Sequence, residues 1–313
     1  MKIALGLLYS TTLLLLPLAA HSASFDCHKA ATPVEKAICA DTKLDQLDMA
    51  IADAYNKLLA DVDDPLKARV RNVQRDWLKG RKNPRKLDAA MHARLEALRT
   101  AVVSQNGLKF LRLRGDERPM YLLDKLPGAG AYNQWVEKTW QDASNERSAE
   151  EAEAEAEAEA KKCKANDECD VDSTTRRYAI DFASAELISV HESVSNYMYQ
   201  AAHPDNQDAH YNWWLSKASS IKPADIFSGQ AYKKVLEKYA RQYVATAMEV
   251  KPDGTQSTGS VTEPDNWAIT KKALHITGQG YEYQMGRGFV EFDIPWTAFA
   301  GILNPAFSAA LAK

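Results

Sequence analysis

Cys27 and Cys39 stand twelve residues apart, directly behind an apolar leader and directly ahead of a run with helical periodicity. No other feature narrows the possible folds as far. Ile3 to Ala20 is nearly all apolar, Lys2 supplies a positive charge before it, and small residues follow at Ala20, Ser22, Ala23 and Ser24. This reads as a signal peptide over residues 1–24, cut after Ser22 or Ser24. A retained membrane anchor is the competing reading, because an apolar run of this length just reaches across a bilayer. A chain exported to the periplasm or secreted meets oxidising conditions and forms disulfides. Four cysteines, Cys27, Cys39, Cys163 and Cys169, leave three connectivities open, of which Cys27–Cys39 with Cys163–Cys169 is the simplest. Neither pair has zinc-knuckle spacing, and no metal or other cofactor is expected.

The mature chain has room for two domains. Leu44, Leu47, Ile51, Tyr55 and Leu58 recur at steps of three and four, which predicts one helix, capped by Asp41-Thr42. Leu66, Val70, Val73 and Trp77 predict a second, with Pro65 suited to its first position. Leu87, Met91, Leu95, Leu98 and Val102 predict a third. The expected object is a small disulfide-stapled helical domain over residues 25–105, with Trp77, Leu47 and Tyr55 in its core. Asp26 and Glu35 read as local helix caps or as a binding pair.

Charge divides the chain. Between Phe25 and Arg114 there are 18 Lys/Arg against 12 Asp/Glu; from Gln141 to Lys313 there are 17 against 26. A basic run, Lys67, Arg69, Arg71, Arg75, Lys79, Arg81, Lys82, Arg85 and Lys86, is broken only by Asp76. It reads either as a solvated helix face or as a contact for an anionic polymer. No aromatic stacking pattern accompanies it, so nucleic acid is not an expected partner.

Phe25-Asp26-Cys27, Thr32-Pro33-Val34-Glu35, Ile38-Cys39, Leu44 with Leu47-Asp48, Tyr55, and Gln74-Arg75-Asp76-Trp77-Leu78 with Arg81 follow one another in order. Together they resemble the LprI-type lysozyme-inhibitor N-terminal domain, over about residues 25–100. Members often add a second cysteine pair after the Gln-x-x-Trp-Leu motif. This chain has none between Asn83 and Met91, so its third helix must hold by packing.

Residues 148–162 are almost entirely Glu and Ala, and read as a marginal helix continuing from Tyr132, Trp135, Val136 and Trp140, or as an acidic loop. After Cys169 the period falls to two. Strands are predicted at 177–182, 186–194, 197–199, 211–215, 267–276, 280–283 and 289–294, with a turn at 203–206. A helical stretch from Pro223 to Tyr243 and a short closing helix at 296–303 complete an α+β domain over 108–313 with a mainly antiparallel sheet.

Ile188-Ser189-Val190, Tyr197-Met198-Tyr199 through His203-Pro204, Tyr211-Asn212-Trp213-Trp214-Leu215 and Asp225-Ile226-Phe227 are similar to the extracytoplasmic domain of RsiV-type anti-sigma factors, as are the later segments to Trp296. That resemblance implies lysozyme binding through loops entering the enzyme's cleft. Where such receptors carry a Pro-Tyr pair, this chain reads Gln284-Met285-Gly286-Arg287 after Tyr283. The candidate contact residues are Tyr281, Tyr283, Gln284, Met285 and Arg287, with His203 and His210 beside them. His203 and His210 also read as a metal pair or as locally bonded turn histidines.

Ser189 with His191, and Ser195 with His203 and Asp205, lack the framing of a nucleophile elbow, and the chain is not expected to be an enzyme. The expected function is an exported bacterial envelope protein, lysozyme-inhibitor-like, acting by steric blockage of the cleft. A peptidoglycan or anionic-glycan binding module using the basic run is the alternative, and a cell-wall enzyme the third.

Overall fold

The computed structural model describes residues 23–113, 117–141, 173–197, 203–285 and 288–313. The leader up to residue 22, the Glu/Ala tract, Cys163, Cys169 and Arg287 lie outside the described residues. The chain is α+β and divides into two compact units, Met1–Glu96 and Ala97–Lys313. No helix among the described residues is long and apolar enough to cross a membrane.

The first unit is helical. Cys27 is disulfide-bonded to Cys39, with Cα atoms 5.7 Å apart, which ties a 3-10 turn at Cys27–Lys29 to helix α1, Pro33–Ala40. α1 starts at a reciprocal cap. Thr32 Oγ1 accepts from the Glu35 backbone N–H, and the Glu35 carboxylate accepts from Thr32 N–H and Ala31 N–H. Asp41 then caps α2, Thr42–Asp61, accepting from the backbone of Lys43 and Leu44. α3 is Asp64–Gly80 and α4 is Leu87–Arg99. Leu44, Leu47, Ile51 and Leu58 of α2, Leu66, Val70 and Val73 of α3, and Leu87, Met91 and Leu95 of α4 are buried. The stripes therefore fall where their spacing puts them, except that Tyr55 and Trp77 are half-buried rather than core. α4 ends at Arg99, and Val102 begins a strand instead.

The second unit opens on a small antiparallel sheet: β1, Val102–Gln105, β2, Leu108–Leu111, and β3, Tyr121–Leu122. Asn106 and Gly107, both at positive φ, make the tight turn between β1 and β2. A helix, α5, covers residues 129–141. Its Asn133 side chain both accepts from and donates to the backbone of Leu122, and Tyr132 donates to the Met120 carbonyl. The main sheet has the order β4-β5-β6-β7: Ser173–Ala183, Leu187–Tyr197, Asp205–Trp214 and Ser219–Ser220. The second sheet has the order β10-β9-β8: Phe289–Pro295, Ala273–Gln279 and Trp267–Ile269. All pairings are antiparallel.

One face of the main sheet meets β8–β10. Ser189 Oγ and Asn212 Oδ1 accept from Ile269 N–H, and Asn212 donates to the Trp267 carbonyl. The shared core adds Leu236, Ala240 and Val244 from α7, Tyr232–Ala247, and Phe307 from α8, Pro305–Ala312; a short helix α6, Pro223–Ile226, contributes Ile226. Phe227 stacks on Tyr232 at 4.4 Å and meets Trp267 edge-on.

Five segments differ from the sequence reading, the first being the helical stretch from Pro223 to Tyr243, which is broken at 227–231 into α6 and α7. Residues 267–276 form two strands, because Thr270 turns the chain by hydrogen-bonding its hydroxyl to the Ala273 backbone. Residues 280–283 form a 3-10 turn, in which the alternation Tyr281/Tyr283 mimics a strand. Strand β6 starts at Asp205, inside the expected turn. Residues 296–299 form a 3-10 turn, and the closing helix is α8 beyond it.

Candidate functional site

In the first unit the motif residues build a polar girdle. Arg81 lies 3.6 Å from Asp48, and both side chains are nearly buried. Asp48 also accepts from the backbone and hydroxyl of Ser24, at 3.0 and 2.5 Å. Burial lowers the Arg81 pKa, and Asp48 and Glu35 oppose that shift. Gln74, also buried, accepts two bonds from the Arg94 guanidinium, at 2.9 and 2.6 Å. Trp77 is half-buried rather than core. Its ring faces the guanidinium of Arg81 at 4.7 Å and that of Arg94 at 5.7 Å. Asp26 and Glu35 both act as caps, and the backbone bonds of Thr32 and Ala31 hold the Glu35 carboxyl below its ordinary pKa.

The basic run is thereby sorted. Lys67, Arg71, Arg75 and Lys79 recur at steps of four along α3, and Arg71, Arg75 and Lys79 are exposed. Lys67 is paired with Asp64, and Arg69 is half-buried. Lys82, Arg85 and Lys86 extend the exposed charge past the helix end, while Arg81 is drawn inward to Asp48.

In the second unit the loop after β9 divides its candidates between surface and interior. Tyr281 is 66% exposed, and Gln284 is exposed in a left-handed conformation at φ 61°. Tyr283 is fully buried, and Met285 packs against the core. The Tyr283 ring fills a slot between two glycines. A Cβ on Gly259 would sit 2.5 Å from the ring, and one on Gly278 would sit 2.7 Å from it. Burial pushes the Tyr283 pKa up to about 12. The segment preceding β8 ties the loop down from outside: Ser257 Oγ donates to the Glu282 carbonyl at 2.7 Å, and Ser260 Oγ donates to the Glu282 carboxylate. Tyr281 is thus carried on a braced turn.

The two candidate histidines separate in the same way. His203 is exposed, with Nδ1 3.1 Å from the Pro204 carbonyl. His210 is buried, with Asp181 Oδ2 and Thr277 Oγ1 each 3.1 Å from a ring nitrogen. His210 also stacks on His191 at 4.7 Å and meets His275 edge-on at 6.5 Å. Each histidine has its own carboxylate: Asp208 at 3.0 Å from His191, Asp181 from His210, and Asp293 at 2.8 Å from His275. The hydrogen-bonding contact with Asp208 raises the His191 pKa against the pull of burial. Strand register explains the stack, since His191 lies directly opposite His210, but the three partners come from β4, β6 and β10 and no local spacing announces them. Among the described residues no group of three or more His, Cys, Asp or Glu is arranged to hold a metal ion.

Comparison with known proteins places two segments. Residues 27–121 match the family model described as lysozyme inhibitor LprI, running past α4 and the β1–β2 hairpin to the start of β3. Residues 224–297, from α6 to the end of β10, match that of a protein family of unknown function, DUF3298. Two solved structures of DUF3298 family members are similar to the chain. The one from Bacteroides fragilis is 20% identical, with a TM-score of 0.41, and the match covers 58% of this chain and 74% of that one. The one from Pseudomonas aeruginosa is 16% identical, with a TM-score of 0.35, covering 45% and 64%. No curated protein matches the chain.

Proposed function

We propose that this protein is an exported, lysozyme-inhibitor-like binding protein of the bacterial envelope, which acts without chemistry by blocking the enzyme's cleft. The observation that carries it is the LprI match over residues 27–121, on a helical unit tied by Cys27–Cys39. Periplasmic or secreted location follows from the leader over residues 1–24 and the cysteine count. The blocking element is assigned to the second unit, by its resemblance to lysozyme-binding receptor domains. Tyr281 and Gln284, with Arg287 and His203, supply the contacts. Tyr283, Met285 and His210 hold the scaffold beneath. A braced loop loses little conformational freedom on docking, which favours affinity. Titration of the purified chain against several lysozyme classes tests this. Stoichiometric loss of muramidase activity with a stable complex is expected, and full activity with no complex would sink it.

The exposed ridge Arg71, Arg75 and Lys79 favours a second reading, contact with an anionic glycan. Cosedimentation with peptidoglycan that disappears at high salt is its signature.

A further inference from the structure

One face of the β4-β5-β6 sheet packs on β8–β10, and the other is covered only in part, with Tyr178, Ile188, Val190 and Trp213 buried on it. Register places Arg176 and Tyr178, Glu192 and Val194, and Gln207, Ala209, Tyr211 and Trp213 together on the other face. Helix α5 lies against this face through aromatic contacts: Trp135 is 5.3 Å from Tyr211 and 5.8 Å from Trp213, and Tyr132 meets Trp213 edge-on. Close approach is enforced at the head of the helix. Gly128 has φ +77°, and a Cβ there would lie 1.7 Å from the Leu215 carbonyl oxygen.

The surface sinks on either side of the Trp135–Tyr211 contact. One cavity, about 310 Å³, extends past Trp213 to Lys222 and Asp265. The other, about 480 Å³, extends over Glu192 to Lys138 and Gln207. Trp135 and Tyr211 line both, so the two make one groove with an aromatic rib across its middle. The rib is held stiff from below. Glu192, 8% exposed, accepts from the hydroxyls of Tyr178 at 2.5 Å and Tyr211 at 2.6 Å, and pairs with Arg176 at 3.3 Å. The indole N–H of Trp135 meets no acceptor among the described residues, whereas those of Trp140, Trp267 and Trp296 each donate to a backbone carbonyl.

The groove's charges nearly cancel: Arg176 is paired with Glu192, and Lys138 and Lys222 stand against Asp265, while the Asp208 carboxylate turns to His191 on the other face. A phosphate-bearing ligand would need a positive excess, and a basic peptide a negative one. Half-exposed ring faces between polar flanks suit a ligand that is apolar on one face and hydroxylated around its edge, the shape of a pyranose. We infer that this groove binds a neutral saccharide chain, one sugar seated in each cavity with Trp135 and Tyr211 packed between them. The site is separate from the basic ridge and from the Tyr281 loop, and it stands whether or not the protein binds lysozyme.

The test is titration of the full chain, without lysozyme, with β-1,4-linked N-acetylglucosamine tetramer and with cellotetraose, followed by tryptophan fluorescence and calorimetry. Saturable binding of at least one tetramer is expected, unchanged by added salt. Trp135→Ala should weaken it by about tenfold or more, and Trp135→Phe by less. Failure of both tetramers to bind overturns the inference, as does a folded Trp135→Ala variant that binds like the parent. Binding that falls away with salt also overturns it, and points to the ridge on α3. If Trp135→Ala does not fold, the exposed rim variants Lys222→Ala and Asp265→Ala decide, and unchanged affinity in both overturns it.

Discussion

Arg81 illustrates how a residue's neighbourhood can reverse its apparent role. By sequence it is one of nine cations in a run; in the fold its guanidinium faces Asp48 and covers Trp77. Arg81→Ala would leave the Asp48 carboxylate nearly buried, with Ser24 its one remaining partner among the described residues. A destabilisation of about 3–5 kcal/mol is expected, the scale for breaking a buried pair, and nearer the low end where cleavage after Ser22 leaves Ser24 beside Asp48. Arg75→Ala, on the exposed side of α3, should change stability by less than about 0.5 kcal/mol. Denaturant melts of the two variants read the contrast directly, and equal effects would contradict the assignment. His191 supports a second prediction at this scale. Its folded pKa lies above the ordinary 6.5, chiefly through Asp208. The stabilisation it adds is therefore fully present below pH 6.5 and fades as pH rises through the folded value. The stability difference between the parent and His191→Gln should be largest near pH 6 and shrink by about pH 8. A difference independent of pH, or one growing towards alkali, would be inconsistent with the pairing.

At the scale of elements, the Tyr283 slot shows what a strand and a loop require of each other. Gly278 lies within β9 opposite Val290, where backbone conformation alone would admit alanine. The added methyl would instead meet a buried ring at 2.7 Å. Gly278→Ala should cost about 1–3 kcal/mol, the usual scale of overpacking. Gly80→Ala, with nothing within 4 Å of its Cβ, should be neutral or slightly stabilising. Thermal melts of both, with proteolysis of the 279–285 loop as a local readout, distinguish a slot from a general intolerance of side chains. The same element marks the limit of what sequence conveys. The stripes of α2, α3 and α4, the caps at Glu35 and Asp41 and the Cys27–Cys39 tie, the simplest of three pairings, are local patterns that the sequence offered. The exposed Tyr281 beside the buried Tyr283 was not legible, because two tyrosines one residue apart read as strand alternation until Gly259 and Gly278 are brought around one of them. Trp135 was legible as a member of an apolar stripe. Its partnership with Tyr211 depends on β6 register and on Gly128, both of which are tertiary facts.

At the scale of the molecule, charge asymmetry sets how a cationic enzyme would approach. The segment from Gln141 to Lys313 carries the acidic excess, and the segment from Phe25 to Arg114 the basic one. Typical lysozymes are cationic, so the first attracts such a partner and the second repels it. The ridge Arg71, Arg75 and Lys79 is exposed, and replacing all three with glutamate reverses its sign without touching the Arg81–Asp48 pair or the Gln74–Arg94 pair. If the second unit carries the lysozyme contact, the triple variant should associate several-fold faster at low ionic strength, with dissociation nearly unchanged, because charges outside a contact alter encounter more than residence. Near 1 M salt, where the screening length falls to about 3 Å, the rate difference should vanish. A triple variant that loses the complex altogether would place the contact on α3 instead, and the ridge would then be the docking face rather than a repelling one. Stopped-flow association measured across salt concentrations separates these outcomes.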